Sequence, residues 1–135
     1  MQSIQLIELP RIADIRGDLS FIENQAQVPF SIERVYWLTG VASGDWRHGH
    51  SYRSQMELVV ALSGSFVVST DSVNGPMSWR LDTPSAGLLL PAMTWRELYR
   101  FSANAVALVL SSGKFEEAEY IRSRDEFNRL IGREP

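Results

Sequence analysis

Short apolar runs separated by turn residues recur along most of the chain. They are rich in β-branched and aromatic side chains, and Gly, Pro, Asn and Asp lie between them. Many short strands at this spacing predict an all-β sandwich or barrel. The predicted strands are Ser3–Glu8, Leu19–Glu23, Ile32–Leu38, Gln55–Leu62, Ser65–Ser69, Met77–Leu81, Gly87–Leu90, Trp95–Phe101 and Ala105–Ser111.

The C-terminal tail has a different periodicity. Between Glu116 and Ile131 the apolar residues recur at roughly helical spacing, which predicts a short helical region with a break near Ser123. We expect this region to cover an open end of the sandwich. Because no linker, repeat or low-complexity tract divides the sequence, residues 1–135 are interpreted as a single domain.

Composition narrows the class of protein. With 135 residues, 44% of them hydrophobic and 21% charged, the chain has the make-up of a soluble globular domain. A net charge of −3 without a dense Lys/Arg cluster argues against nucleic acid as a partner. No apolar stretch is long enough to span a membrane, and the N-terminus does not resemble a signal peptide. The absence of cysteine excludes disulfides and thiolate catalysis. We expect a cytoplasmic protein.

The two histidines of the chain lie two residues apart, as His48-Gly49-His50. If both belong to one strand, their imidazoles point to the same side, because strand side chains alternate between faces. Histidine has an ordinary pKa near neutrality. The pair therefore supplies either two metal ligands or two acid/base groups.

The metal alternative lacks ligands. A stable divalent site normally takes three or more protein ligands, whereas this chain has no third histidine and no cysteine. Ser54 and Gln55 follow the pair, and Glu57 is the nearest carboxylate. We therefore expect no metal and interpret the histidines as acid/base groups. A purely structural role, with both imidazoles held by hydrogen bonds, remains the other alternative.

An ordered set of motifs extends over nearly the whole chain. It includes Asp14-Ile15-Arg16-Gly17-Asp18-Leu19, Arg34-Val35-Tyr36, His48-Gly49-His50, Pro84-Ser85-Ala86-Gly87-Leu88, Trp95 with Glu97, and Glu116-Glu117-Ala118-Glu119-Tyr120-Ile121-Arg122. In these motifs the chain resembles the cupin family of sugar 3,4-ketoisomerases, which act on dTDP-4-keto-6-deoxyglucose. The resemblance implies a jelly-roll cupin (a double-stranded β-helix), a nucleotide-sugar substrate, catalysis without a cofactor, and a homodimer. The apolar strand Ser3–Leu9 could supply or accept such pairing.

The chain departs from the family pattern near the histidines. Members usually carry Arg-Gly-x-His-Ala-His, whereas Asp45-Trp46-Arg47 precedes His48 here. A histidine typically follows the tryptophan of the second half, and here Arg96 follows Trp95. These changes lie at the expected mouth of the pocket.

A ketoisomerase must remove a proton beside a ketone, stabilise an enediol and return a proton to the neighbouring carbon. The resemblance implies that His48 and His50 carry these protons, with His48 at carbon, and that Tyr36 is an oxyanion donor or acid. Arginine gives bidentate contacts to phosphates, and tryptophan can stack on a base or sugar. The expected substrate-binding residues are Arg16, Arg34, Arg47, Arg53, Trp95 and Arg96.

Two other functions remain open. A sugar-nucleotide 3,5-epimerase of the same fold would invert stereocentres and leave the ketone unmoved. A non-catalytic nucleotide-sugar-binding cupin would bind the sugar without exchanging its carbon-bound hydrogens.

Overall fold

The computed structural model describes residues 3–133, except for the side chains of Trp46, Arg47 and His48. Almost all regular structure in this range is β-strand. The strands are β1 (Gln5–Glu8), β2 (Arg11–Asp14), β3 (Gly17–Ser20), β4 (Arg34–Leu38), β5 (Trp46–Tyr52), β6 (Glu57–Ser63), β7 (Phe66–Asp71), β8 (Met77–Leu81), β9 (Ala86–Leu90), β10 (Trp95–Tyr99), β11 (Val106–Ser111) and β12 (Tyr120–Ile121), and the helix is α1 (Arg124–Leu130).

Two five-stranded antiparallel sheets face each other. The first sheet has the order β1-β9-β6-β11-β4, and the second has the order β12-β5-β10-β7-β8. A separate hairpin, β2-β3, completes the strands. This arrangement confirms the predicted jelly-roll fold, with its short helical segment at the C-terminal end.

Alternation along the strands separates the core from the outer faces. On β4, Tyr36 and Leu38 pack against the main core cluster, whereas Val35 and Trp37 between them are exposed. The members of that cluster come from both sheets and include Val59, Phe66, Leu88, Leu98 and Val109. Burial of this apolar surface is the main force holding the sheets together. The inner faces of the sheets therefore define the space in which a site can form.

The hairpin near the N-terminus corrects one predicted strand. The sequence predicted Leu19–Glu23, whereas the structure pairs β2 with β3 and ends the second strand at Ser20. Gly17 at the turn has a φ of 132°, a conformation that side-chain-bearing residues rarely adopt. The short turn fixes the register of the pair, so β3 begins earlier than its apolar residues suggest.

The C-terminal tail also differs from a continuous helical region. Tyr120 and Ile121 form a strand that pairs with Tyr52 and Ser51 of β5. A helix follows only at Arg124, because the Ser123 side chain accepts a hydrogen bond from the Glu126 backbone N–H and caps it. The predicted break near Ser123 is thus the start of α1. Phe127 of this helix packs with Trp95 and Ile121, so the helix does cover one end of the sandwich.

None of the helices among the described residues is long and apolar enough to cross a membrane.

Candidate functional site

A cavity of about 490 Å³ opens between the two sheets. Strand alternation directs polar side chains of both sheets into it. From the first sheet come Arg34, Tyr36 and Glu57, and from the second come His50, Tyr52, Arg96 and Tyr120. Apolar side chains, among them Val59, Leu90 and Val109, line the inner wall. The cavity thus combines titratable groups with a largely apolar enclosure, as small-molecule sites commonly do.

The histidine pair lies on β5, a strand that the apolar runs did not predict. His50 pairs with Arg96 of β10, whereas Arg47 pairs with Leu98, so β5 carries one extra residue between these two points. Such a bulge changes the direction of side chains locally, and simple alternation does not extend across it. His50 lines the cavity. The side chain of His48, and with it the expectation that both imidazoles face the interior, lies outside the described residues.

Aromatic rings surround the imidazole of His50. Its ring centroid lies 5.0 Å from that of Tyr52 in an edge-on arrangement and 5.3 Å from that of Tyr120. The hydroxyl of Tyr52 donates to the hydroxyl of Tyr120 at 3.2 Å. These contacts fix the plane of the imidazole within the cavity, which a residue that transfers protons to a defined atom requires.

A buried carboxylate lies at the centre of the polar wall. Glu57 is 1% exposed and accepts hydrogen bonds from Arg96 Nη1 at 2.7 Å and from the Tyr36 hydroxyl at 2.8 Å. Arg34 Nη2 lies 3.7 Å from the same carboxylate. The guanidinium of Arg96 also stacks over the ring of Tyr52, with 4.9 Å between its carbon and the ring centroid. The structure therefore joins Arg34, Tyr36 and Arg96 in one charged network.

The two phenols nearest Glu57 are weak acids. Burial, followed by the negative charge of Glu57, raises the pKa of Tyr36 above its ordinary value. The same two causes, in the same order, raise the pKa of Tyr52. Both phenols therefore remain protonated near neutral pH.

Three of the expected binding residues do not line the cavity. Arg16 extends from the β2-β3 turn with 86% of its side chain exposed and pairs with Asp14. Arg53 pairs with Glu126 of α1 at 2.9 Å. Trp95 is 5% exposed, and its indole Nε1 donates to Glu97 Oε2 at 2.9 Å. The side chain of Arg47 lies outside the described residues.

Sequence reasoning did not include Glu57, Tyr52, Tyr120 and Arg122 among the candidate site residues, although all four line the cavity. Glu57 begins β6 and is followed there by an apolar run, Leu58-Val59-Val60-Ala61-Leu62, and a carboxylate beside such a run is a signal of a functional or paired charge. Tyr120 lies in the tail, whose periodicity predicts helix, whereas in the structure β12 pairs with β5 and brings Tyr120 to His50.

No group of three or more metal-binding side chains occurs within the part of the chain whose side chains are described.

The family comparison covers almost the entire chain. The family model described as "FdtA: WxcM-like, C-terminal" matches residues 2–132. A TDP-4-oxo-6-deoxy-alpha-D-glucose-3,4-oxoisomerase of Aneurinibacillus thermoaerophilus is 34% identical to this chain over 129 residues, which are 96% of this chain and 93% of that protein.

Solved structures agree with this result. The structure of QdtA, a sugar 3,4-ketoisomerase from Thermoanaerobacterium thermosaccharolyticum in complex with TDP, has a TM-score of 0.92 at 33% identity, covering 95% of this chain and 93% of that one. The WlaRB TDP-quinovose 3,4-ketoisomerase from Campylobacter jejuni has a TM-score of 0.90 at 32% identity and covers 96% and 99%. The rmlC epimerase of Mycobacterium tuberculosis, at 17% identity and a TM-score of 0.73, shares the fold alone.

Proposed function

The chain belongs to the FdtA family (WxcM-like, C-terminal), and on that premise we propose that it is a nucleotide-sugar 3,4-ketoisomerase acting on a dTDP-4-keto-6-deoxyhexose in deoxysugar biosynthesis. The observation that carries the proposal is the cavity between the sheets, which an imidazole, three arginines and three phenols line together. A named ketoisomerase related over 96% of this chain supports the same reaction.

The reaction moves the ketone by two proton transfers at carbon and one between the two oxygens. A base removes the proton from carbon 3 of the sugar, the electron pair forms an enediolate with the ketone at carbon 4, and carbon 4 then receives a proton. The hydroxyl proton passes from the oxygen on carbon 3 to that on carbon 4, so atoms and charge balance without an oxidant or a reductant. We assign proton transfer at carbon to His48, as the resemblance implies, and the relay between the two oxygens to His50.

The charge of the cavity suits a nucleoside diphosphate. The charged residues that line it are Arg34, Arg96, Arg122 and Glu57, so positive groups outnumber negative ones although the chain as a whole carries −3. Guanidinium groups bind phosphate oxygens with directed hydrogen bonds. Our candidates for binding the diphosphate are Arg34, the first residue of β4, and Arg122, the residue that follows β12.

A product assay in heavy water tests this function. Purified protein is incubated with TDP-4-keto-6-deoxyglucose, and the position of the ketone and the exchanged hydrogens are followed by NMR. We expect the ketone to move to carbon 3 and solvent deuterium to enter at carbon. A ketone that stays at carbon 4 beside inverted centres would identify an epimerase. Binding of TDP without exchange would identify a binding protein.

A second experiment tests metal dependence. We expect turnover to be unchanged in the presence of a chelator and elemental analysis to find less than one metal per chain.

We also propose that residues 1–135 act as one domain and that the protein is a cytoplasmic homodimer. The strand β1 lies at an edge of the first sheet, where a second copy could pair with it. The hairpin β2-β3 supports association too, because its cross-strand partners Ile12 and Leu19 are both more than half exposed. Two isolated strands are marginally stable in water, so a surface that covers this hairpin would stabilise it.

A further inference from the structure

Glu57 connects groups from three strands at the back of the proposed isomerase site. It begins β6, while Tyr36 belongs to β4 and Arg96 to β10 of the facing sheet. One carboxylate oxygen accepts from Arg96 and the other accepts from the Tyr36 hydroxyl. Arg96 is 2% exposed and Glu57 is 1% exposed, so water does not weaken these bonds as it would at the surface.

We infer that Glu57 is a positioning residue for the isomerisation: its carboxylate orients Tyr36 as a hydrogen-bond acceptor for the sugar and holds the positive charge of Arg96 in the wall of the cavity. This inference rests on the proposed function, since it assigns the polarity of hydrogen bonds that only a bound sugar would complete. Glu57 itself acts through its two partners.

The phenol of Tyr36 has a single proton to donate. At 2.8 Å from Glu57, and facing a carboxylate that can only accept, the Tyr36 hydroxyl points its proton at Glu57. The lone pairs of the phenol oxygen then face the cavity, which Tyr36 lines. Tyr36 accordingly accepts a hydrogen bond from a sugar hydroxyl, in place of the oxyanion-donor role expected from the sequence.

The guanidinium of Arg96 has donors left over. Its Nη1 donates to Glu57 and its Nε donates to the Thr94 carbonyl oxygen at 3.2 Å. Its Nη2 is buried and makes no hydrogen bond within the described residues. Arg96 lines the cavity, so its positive charge lies in the wall beside the space that the sugar would fill. A preorganised positive charge beside the reacting atoms stabilises an enediolate more than a ground-state ketone.

Stability alone is a poor explanation for this arrangement. Taking two charges out of water costs several kcal/mol per ion, and well-packed apolar residues of similar volume often stabilise a fold at least as well as a buried ion pair. The sheets already share a continuous apolar core around Val59, Leu98 and Val109. The pair formed by Glu57 and Arg96 is therefore better explained by what it presents to the cavity.

The variant Glu57→Gln keeps the shape of the side chain and removes its charge. Its amide oxygen can still accept from Arg96, but its NH₂ group then faces Tyr36 and forces the phenol to accept, which turns the Tyr36 proton away from residue 57. We expect kcat to fall on the order of 10²-fold, as misplacement of catalytic groups commonly causes. The KM for the sugar nucleotide and the affinity for TDP should stay within about twofold, because Arg34, 3.7 Å from Glu57, is also held by Gln55 and Ser111.

A double-mutant cycle separates positioning from folding. In a Tyr36→Phe background, the further change Glu57→Gln should cost less than about a third of its effect in the parent, because residues that act as one unit are not additive. Asp71→Asn is the matched control, since Asp71 is also buried and paired with arginines, Arg124 and Arg133, but does not line the cavity. We expect this control to lower the free energy of unfolding and to keep the parental kcat.

The outcomes distinguish this inference from the proposed function. A parent protein that neither isomerises nor exchanges the sugar would overturn both. An active parent whose Glu57→Gln variant keeps kcat, raises only KM, or shows additive effects with Tyr36→Phe would overturn the inference alone. If Glu57→Gln does not fold, Glu57→Asp preserves the charge but withdraws the carboxylate by one methylene group. That variant should also lose kcat at unchanged KM, and a parental kcat there would overturn the inference.

Discussion

The indole ring of Trp95 occupies the space into which a side chain at Gly49 would project. A Cβ placed on Gly49 would lie 2.5 Å from the indole Nε1 and 2.6 Å from two ring carbons. Trp95 is held from its other sides, because its Nε1 donates to Glu97 and its ring packs against Phe127 at 5.6 Å. The indole of Trp95, on the neighbouring strand, thus leaves no room for a side chain at position 49 between the two histidines.

The variant Gly49→Ala tests this packing. The buried indole must shift to admit the methyl group, so we expect a loss of about 1–3 kcal/mol in the free energy of unfolding, the usual cost of overpacking. Urea unfolding measures the loss, and a changed tryptophan fluorescence spectrum would report the shift of Trp95. Gly44→Ala is the control, since nothing lies within 4 Å of a Cβ at Gly44. Equal stability of the two variants would contradict the packing argument.

The hydrophobic pattern of the sequence predicts some strands of the fold and misses others. Apolar runs such as Met77–Leu81 are bounded by clear turn residues, and the structure forms that strand at the predicted bounds. The strand β5, in contrast, has few apolar residues, because its inward positions carry the polar groups of the cavity. A strand that builds a polar site does not show the hydrophobic pattern by which strands are recognised.

The sequence predicts the site residues that lie in a recognisable motif. It does not predict those that long-range strand pairing brings to the cavity. The pairing of β12 with β5 brings Tyr120 beside His50, although the two residues are 70 positions apart in the sequence. Nothing local in the sequence indicates this pairing, since Glu116 to Ile131 has roughly helical periodicity. Conversely, Arg16 lies in a motif of the family, yet its side chain pairs with Asp14 at the end of the hairpin. Long-range pairing decides both cases.

Replacement of His50 by Asn should abolish most of the turnover. Asparagine keeps part of the hydrogen-bonding capacity but has no titrating base, so kcat should fall on the order of 10²–10⁴-fold if His50 transfers a proton. The same substitution at His48 should have a loss in the same range. Exchange of the sugar's carbon-bound hydrogen in heavy water gives a readout that does not depend on product identity. Variants that both exchange and turn over like the parent would show that the histidines are structural.

Replacement of Arg96 by Met should destabilise the protein strongly. It leaves Glu57 buried without its short ion pair to Arg96, and the remaining guanidinium, that of Arg34, lies 3.7 Å away. Breaking a buried pair in this way typically costs about 3–5 kcal/mol. Urea unfolding at neutral pH measures the loss. Arg80→Ala is the control, because Arg80 and Asp82 form an exposed pair that should contribute less than about 1 kcal/mol. A similar loss in both variants would show that burial of Glu57 is not the cause.

The parent protein should elute from a sizing column at twice its chain mass of 15.3 kDa at micromolar concentration. The double variant Ile12→Ser/Leu19→Ser should shift elution toward the monomer, because both side chains expose apolar surface on the β2-β3 hairpin. Val73→Ser removes an even more exposed apolar side chain between β7 and β8 and should leave the elution volume unchanged. A parent that elutes only as a monomer contradicts the homodimer.

Protonation of the Asp71 carboxylate should lower the free energy of unfolding in acid. Hydrogen bonds from Arg133, assisted by Arg124, lower the pKa of Asp71 below its ordinary value of 3.8. A group with a lower pKa in the folded state stabilises the fold fully above its unfolded pKa and loses that contribution as the pH falls through the folded pKa. The free energy of unfolding of the parent should therefore drop from about pH 5 downward. Asp71→Asn should be less stable at pH 7 and flatter below pH 5, as urea titrations at several pH values would show. Asp82→Asn, at an exposed pair, should follow the parent, and an Asp71→Asn curve parallel to the parent's would contradict the role of this carboxylate.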